Sequence, residues 1–324
     1  MSEASDLSGP SQDTHPLIDE IPERLHEQHI FTTKTFGFLI HPNIPIPPRS
    51  SHDGSPTTLK IADIGTGTAI WLLDVAKTLS ATTTTPAATP PTYQLTGYDI
   101  TDSAFPAPET LPPNVSLRTH DMRVPFPEAE LGTYDLVAVR FVSSASTRRE
   151  WGQAVRNIAA LLKPGAGWLQ WIDSCNFALY NSVPGTSRKA CREIYDSVQK
   201  AFVPVKGEGD GDGDEVVLGL MMREAGNVRR EAVFRDAGLV DVHEDVFSTD
   251  RLQEPGLQLR DKGTRNVIVC FLGCLEGLVG VEGSGWSSER IERVKQEAMR
   301  EIDQGVYHTL DQVCVVGRLR SLDD

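Results

Sequence analysis

Between residues 57 and 172 the chain alternates short apolar runs with longer stretches whose apolar positions recur every three or four residues. That alternation predicts parallel strands joined by helices. The runs Leu59–Ile64, Tyr93–Tyr98, Val115–Thr119, Tyr134–Val139 and Trp168–Ile172 predict five strands, with helices over Thr68–Leu79 and Trp151–Leu162. Farther on, helical spacing returns over Arg188–Phe202, Glu215–Glu224, Val228–Ala237, Thr264–Leu278 and Ser287–Asp303. Two more runs, Leu239–Phe247 and Asp311–Leu319, predict strands, the second closing the sheet antiparallel. The expected fold is α/β: a doubly wound, seven-stranded, mostly parallel Rossmann-like sheet with an N-terminal helical cap and inserted helices.

The cap is read from Pro22 to Leu39, where Leu25, Ile30, Phe31, Phe36 and Leu39 fall mostly on one helical face and Pro22 suits a first turn. Residues 1–16 are polar and rich in Ser, Asp and Pro, which predicts a disordered tail. The expected organisation is tail 1–16, cap helices and linker 17–56, and one domain over 57–324 with helical substrate-cap insertions around 175–230 and 255–285. Two low-complexity stretches, Ala81–Pro91 and Gly207–Glu215, read as solvated loops. The second alternates Asp210, Asp212 and Asp214, but Glu215 replaces the glycine of a calcium loop and Met221 its bidentate glutamate.

Composition narrows the function classes. A net charge of −14 disfavours nucleic acid as a partner, because phosphates are neutralised by clustered Lys and Arg. No run is long and apolar enough for a membrane span, and no secretory signal is visible, so the cytoplasm is the expected location and a small molecule the expected partner. The five cysteines form no CxxC pair, so no metal is expected. Cys270 and Cys274, four apart on an apolar helix, are expected to pack as small core residues.

The chemistry is carried by L-K-I-A-D-I-G-T-G-T-A-I-W-L-L-D, a strand, a glycine turn and a helix. Gly65 and Gly67, with Thr66 between them, bare the backbone for close approach of a ligand, and the helix is expected to offer free N–H groups to a carboxylate. Asp63 lies where its carboxylate can meet an ammonium group. A nicotinamide loop would carry a third small residue at Ile70, so the Asp-x-Gly-x-Gly order suits S-adenosylmethionine better. Asp99, directly after the second strand and followed by Ile100, is placed to accept ribose hydroxyls. After the third strand, His120, Asp121 and Met122 would border the adenine. Arg140 and Phe141 end the fourth strand at the edge where open α/β sheets bind ligands; Arg140 either holds a carboxylate or makes a structural ion pair.

In these ordered motifs the sequence resembles the S-adenosylmethionine-dependent methyltransferases of fungal secondary metabolism, a family that includes nuclear global regulators. The matching stretches are D-I-G-T-G-T-A-I-W, G-Y-D-I-T, N-V-S-L-R-T-H-D-M-R-V-P-F-P, Y-D-L-V-A-V-R and L-L-K-P-G-A-G-W-L-Q-W-I-D, with H-E-Q-H-I-F on the N-terminal helix. The resemblance implies cofactor contact for Asp63, Gly65, Gly67, Asp99, Asp121 and Arg140, and a place on the substrate side for Gln28 and His29. Ala69 departs from a usual glycine and Ile172 from a usual acid. A regulator that binds the cofactor and acts through protein partners is the alternative to an enzyme.

Methyl transfer to an O, N or S nucleophile needs positioning and, where the nucleophile carries a proton, a base. Among His29, His120, His243 and His308, His29 is the expected base because its helix would cover the site. The acceptor pocket is expected from Gln28, Phe31, Phe36, Phe38, Asp173, Phe177, Tyr180 and the segment Thr264–Leu278, whose apolar character suits a small, largely apolar metabolite.

Overall fold

The four residues Leu136–Val139 are all fully buried, which a strand achieves only when both sheet faces are covered. A computed structural model of the chain, which describes residues 21–46, 58–81, 92–142, 148–202, 230–252 and 257–321, places them at the centre of one seven-stranded sheet. Its strands are β1 (Thr58–Ile64), β2 (Thr92–Asp99), β3 (Val115–Thr119), β4 (Leu136–Arg140), β5 (Trp168–Asn181), β6 (Leu239–Ser248) and β7 (Val306–Leu319). The spatial order is β3-β2-β1-β4-β5-β7-β6, with β7 antiparallel to both neighbours. The chain winds from β1 outward to β3, then returns to lay β4 on the other side of β1. A crevice therefore opens at the carboxyl ends of β1 and β4, the switch point of the topology.

Among the described residues seven α-helices accompany the sheet: α1 (Ile21–Phe36), α2 (Ile70–Ala81), α3 (Arg148–Ala159), α4 (Lys189–Phe202), α5 (Arg230–Asp236), α6 (Leu257–Glu276) and α7 (Ser288–Asp303). On one face Trp71, Leu72 and Val75 of α2 pack on Leu136, Ala138 and Ile172. On the other, Val155 and Ile158 of α3 meet Val137, Val139 and Trp171. Alternation along β4 and β5 sends successive side chains to opposite cores.

β5 and β7 each run 14 residues, well beyond the expected Trp168–Ile172 and Asp311–Leu319, with a register shift at Ser174/Asn176. Beside this antiparallel pair lies a separate helical cluster in which Cys191, Ile194 and Val198 of α4 pack with Ile268 and Leu275 of α6 and Val294 and Ala298 of α7. Glu301 of α7 accepts hydrogen bonds from Ala190 N at 3.2 Å and Cys191 N at 3.0 Å, placing a carboxylate at the N-terminus of α4. Cys270 corrects an expectation: it is exposed on α6, because that helix buries Ile268, Phe271, Leu272 and Leu275 instead. The expected tail, the loop at 207–215, the insertion at 82–91 and the helix Glu215–Glu224 lie outside the described residues. Among the described residues no helix is long and apolar enough to cross a membrane.

Candidate active site

The bend after β1 is held from beneath by its neighbours. Gly65 N and Thr66 N both donate to Tyr98 O, at 2.8 and 3.0 Å, and Gly67 N donates to Asp99 Oδ2 at 2.8 Å. Gly65 and Gly67 have φ of +71° and +52°, and a Cβ at Gly65 would lie 2.3 Å from Val142 Cγ1. Ala69 follows at φ +57°, fully buried, a conformation that costs an alanine about 1 kcal/mol or more. Its N–H donates to Thr66 O at 2.8 Å. Four of the turn's amides are thus satisfied inside the bend.

Arg140 ends β4 and lines the space beside this bend. Its guanidinium is buried, lies over the Trp71 ring at 5.7 Å, and donates from Nη1 to His29 Nδ1 at 3.1 Å. The other nitrogen of His29, Nε2, faces Asp74 Oδ2 on α2 at 2.9 Å. Burial pulls the imidazole below its usual pKa, with Asp74 opposing and Arg140 adding to the fall. Asp63, buried at the end of β1, accepts from Thr66 Oγ1 at 2.8 Å. Burial pushes its carboxyl up to about 6, a rise that the Arg140 charge and the Thr66 bond restrain. Three buried polar atoms at this centre have no hydrogen-bond partner among the described residues: Asp63 Oδ1, Thr68 Oγ1 and Arg140 Nε. Such atoms are costly unless something supplies their partners.

Two spaces share Gly65 and Phe141 in their walls. One, of about 280 Å³, is lined by Ile64, Gly65, Asp99, Ile100, His120, Asp121, Met122, Arg123, Phe141 and Val142. The other, of about 40 Å³, lies under α1 and is lined by Leu25, Gln28, His29, the Gly65–Thr68 bend, Ile70, Arg140 and Phe141. Phe141 holds φ +55°, backbone strain kept in the wall that the two share.

Residues 62–168 match the family model described as a methyltransferase domain. Over 319 residues the chain is 29% identical to the N-methyltransferase tcpN of Claviceps purpurea, covering 97% of this chain and 99% of the relative. It is 30% identical over 253 residues to the methyltransferase psoC of Aspergillus fumigatus, covering 77% of this chain and 80% of that one. The chain belongs to the S-adenosylmethionine-dependent methyltransferases. A more distant likeness, 26% over 196 residues, is to the secondary metabolism regulator LAE1 of Cochliobolus heterostrophus, covering 58% of this chain and 51% of the relative.

The methyltransferase cleft fits its cofactor on its own chemistry. The small space under α1 is walled by Arg140, and the buried Asp63 carboxylate ends β1 just before the same bend; among the described residues each keeps an unpaired atom, a pair of charges that suits an α-carboxylate and an α-ammonium. The larger space, flanked by Asp99, Asp121, Met122 and Ile100, would meet a flat ring with apolar groups.

 Ile64, Ile100, Met122, Phe141 and Val142 supply that apolar surface, and the two carboxylates stand at its polar edge.

The remaining expected residues divide. Gln28 lines the space under α1 and also a smaller chamber with Phe31, Gly263, Leu310 and Gln312. Phe31 packs so closely on α6 that a Cβ at Gly263 would lie 2.7 Å from its ring. Phe36 is corrected: its ring packs against Phe38 and Phe247 in the core and lines neither space. Asp173 is corrected as well, since it is buried behind the rim, accepting from Trp171 Nε1 at 3.3 Å and Ser174 N at 3.0 Å. Phe177 lies on β5, and its side chain falls outside the described residues. Asp121 is already bonded to Arg123 N and Nε, at 2.9 and 3.0 Å. His243 stands exposed on β6 beside Asp245, and His308 is buried without a partner, its pKa lowered to about 4 by burial. Sequence reasoning missed Asp74, Thr68 and Leu25. Only Thr68, inside the glycine turn, carried a local signal.

Proposed function

We propose that the protein transfers the methyl group of S-adenosylmethionine to a nitrogen of a small, largely apolar metabolite in secondary-metabolite biosynthesis. The observation that carries this reading is the pair of opposite buried charges, Asp63 and Arg140, with unpaired polar atoms beside a bare glycine bend. The choice of nitrogen among O, N and S rests on the likeness to tcpN along nearly the full length of both chains.

S-adenosylmethionine supplies a methyl on a positively charged sulfur, which becomes a neutral thioether as the methyl leaves. The chain's residues do the rest by holding and excluding. Asp63 meets the ammonium and Arg140 the carboxylate, a charge-assisted pairing of the strong kind. Asp99 keeps Oδ1 for the ribose while Oδ2 closes the turn. Thr66 and the two glycines form the floor, and Ile100, Asp121 and Met122 border the base. Gln28, His29 and Phe31 on α1 form the acceptor side, and closing α1 over the bend holds the reactants in a near-attack geometry, worth about 7 to 11 kcal/mol when complete. His29 takes the proton of the nucleophile.

The test is to incubate the protein with S-adenosylmethionine labelled in its methyl group and with fractionated metabolites, then to identify labelled products by mass. The expected product carries one labelled methyl on nitrogen, and Asp63→Ala abolishes its formation. Label on oxygen or sulfur would overturn the choice of nucleophile. Binding without transfer to any fraction would favour the second reading, a cofactor-binding regulator, which the likeness to LAE1 supports.

A further inference from the structure

A neutral imidazole has one lone pair, and in His29 it is occupied. Arg140 Nη1–H donates to Nδ1 at 3.1 Å, while Nε2–H is directed at Asp74 Oδ2 at 2.9 Å. The ring is thus oriented by a carboxylate, as a base should be, yet has no atom free to accept a proton. Arg140 is also incompletely satisfied, since its buried Nε has no partner. A guanidinium binds a carboxylate more strongly than it binds a neutral nitrogen, because both partners are charged and two parallel bonds can form.

We propose that Arg140 gates His29: in the empty enzyme it masks the Nδ1 lone pair, and it releases that lone pair when it turns to the carboxylate of the methyl donor. This inference rests on the cleft assignment made under Proposed function and adds an order of events to it. The base is unmasked only in an enzyme already loaded with donor. Once free, Nδ1 accepts the N–H proton of the acceptor as the nitrogen pair bonds the methyl carbon and the carbon–sulfur pair stays on sulfur. The positive charge that begins on sulfur ends on the imidazolium, which Asp74 stabilises through Nε2. The charged and titratable groups acting on the ring are Asp74 from α2, Arg140 from β4 and His26 one turn earlier on α1; Asp63 acts on Arg140 from β1.

The test is a pH titration of the full chain labelled with ¹⁵N-histidine and ¹⁵N-glycine, with His29 assigned through His29→Gln and occupancy of the bend read from the Gly65 and Gly67 amides. S-adenosylhomocysteine carries the amino-acid end; 5′-methylthioadenosine lacks it. The expected result is that the first raises the His29 pKa by about one unit or more, as the carboxylate neutralises the guanidinium beside it, while the second leaves it unchanged. In Arg140→Met the pKa is expected to stand high without ligand and to ignore both. The gate is overturned if S-adenosylhomocysteine moves the glycine amides and leaves His29 unchanged, or if both ligands raise it equally. If neither ligand moves the glycine amides, the cleft assignment falls and the gate with it. The wild-type titration decides the matter even if Arg140→Met does not fold.

Discussion

In the half of the cleft assigned to adenosine, Ile100 is 62% exposed and the Asp121–Arg123 pair stands partly in water. In the half assigned to the amino-acid end, Asp63 is buried, Arg140 is half-buried with its Nε enclosed, and His29 is 3% exposed. The first half can bind by shape, apolar contact and a few replaceable hydrogen bonds, since exposed ion pairs contribute only about 0 to 1 kcal/mol. The second commits charge inside the protein, where breaking a pair costs about 3 to 5 kcal/mol. The difference places the preorganisation at the end of the cleft nearer the methyl group and leaves the other end tolerant.

The comparison is sharpened most by Asp99, which belongs to both halves because it holds the glycine bend and is the carboxylate assigned to the ribose. Asp99→Ala is expected to weaken S-adenosylhomocysteine by about 1.5 to 3 kcal/mol, roughly ten- to hundredfold, by calorimetry. A loss no greater than that of Asp121→Ala would erase the contrast. The pH dependence is next in size. Asp63 titrates at about 6 in the folded chain against an ordinary value of 3.8, so the folded chain holds a proton there that the unfolded chain has released. Its burial therefore costs stability above pH 6, and that cost fades as the pH falls toward 3.8. Ligand binding has the opposite sign, because the ammonium needs the carboxylate. S-adenosylhomocysteine is expected to weaken as the pH falls through 6, approaching about tenfold per pH unit, whereas 5′-methylthioadenosine is expected to change little. The smallest effect is Ala69→Gly, expected to stabilise the fold by about 1 kcal/mol in denaturant melts by relieving φ +57° at the turn.

Much of this was legible in the sequence where burial is two-sided. Leu136–Val139 reads as an unbroken apolar run because helices cover both faces, and Asp63, Gly65, Gly67 and Asp99 stand at strand ends that such runs locate. The outer halves of β5 and β7 were not legible, because S-C-N-F-A-L-Y-N mixes polar and aromatic residues without a clean period. Phe36 and Phe31 share one helix, and no local pattern says that one ring enters the core while the other meets Gly263. The bond from His29 to Asp74 spans 45 residues and that to Arg140 spans 111, so the masking of Nδ1 exists only in three dimensions.

The assignment of the buried charges to the amino-acid end is tested most directly by titrating wild type and Arg140→Met with S-adenosylhomocysteine and with 5′-methylthioadenosine in a calorimeter. In wild type the first is expected to bind about a hundredfold more tightly than the second, and in Arg140→Met most of that gap is expected to vanish while 5′-methylthioadenosine binds as before. A gap of the same size in both proteins would contradict the assignment.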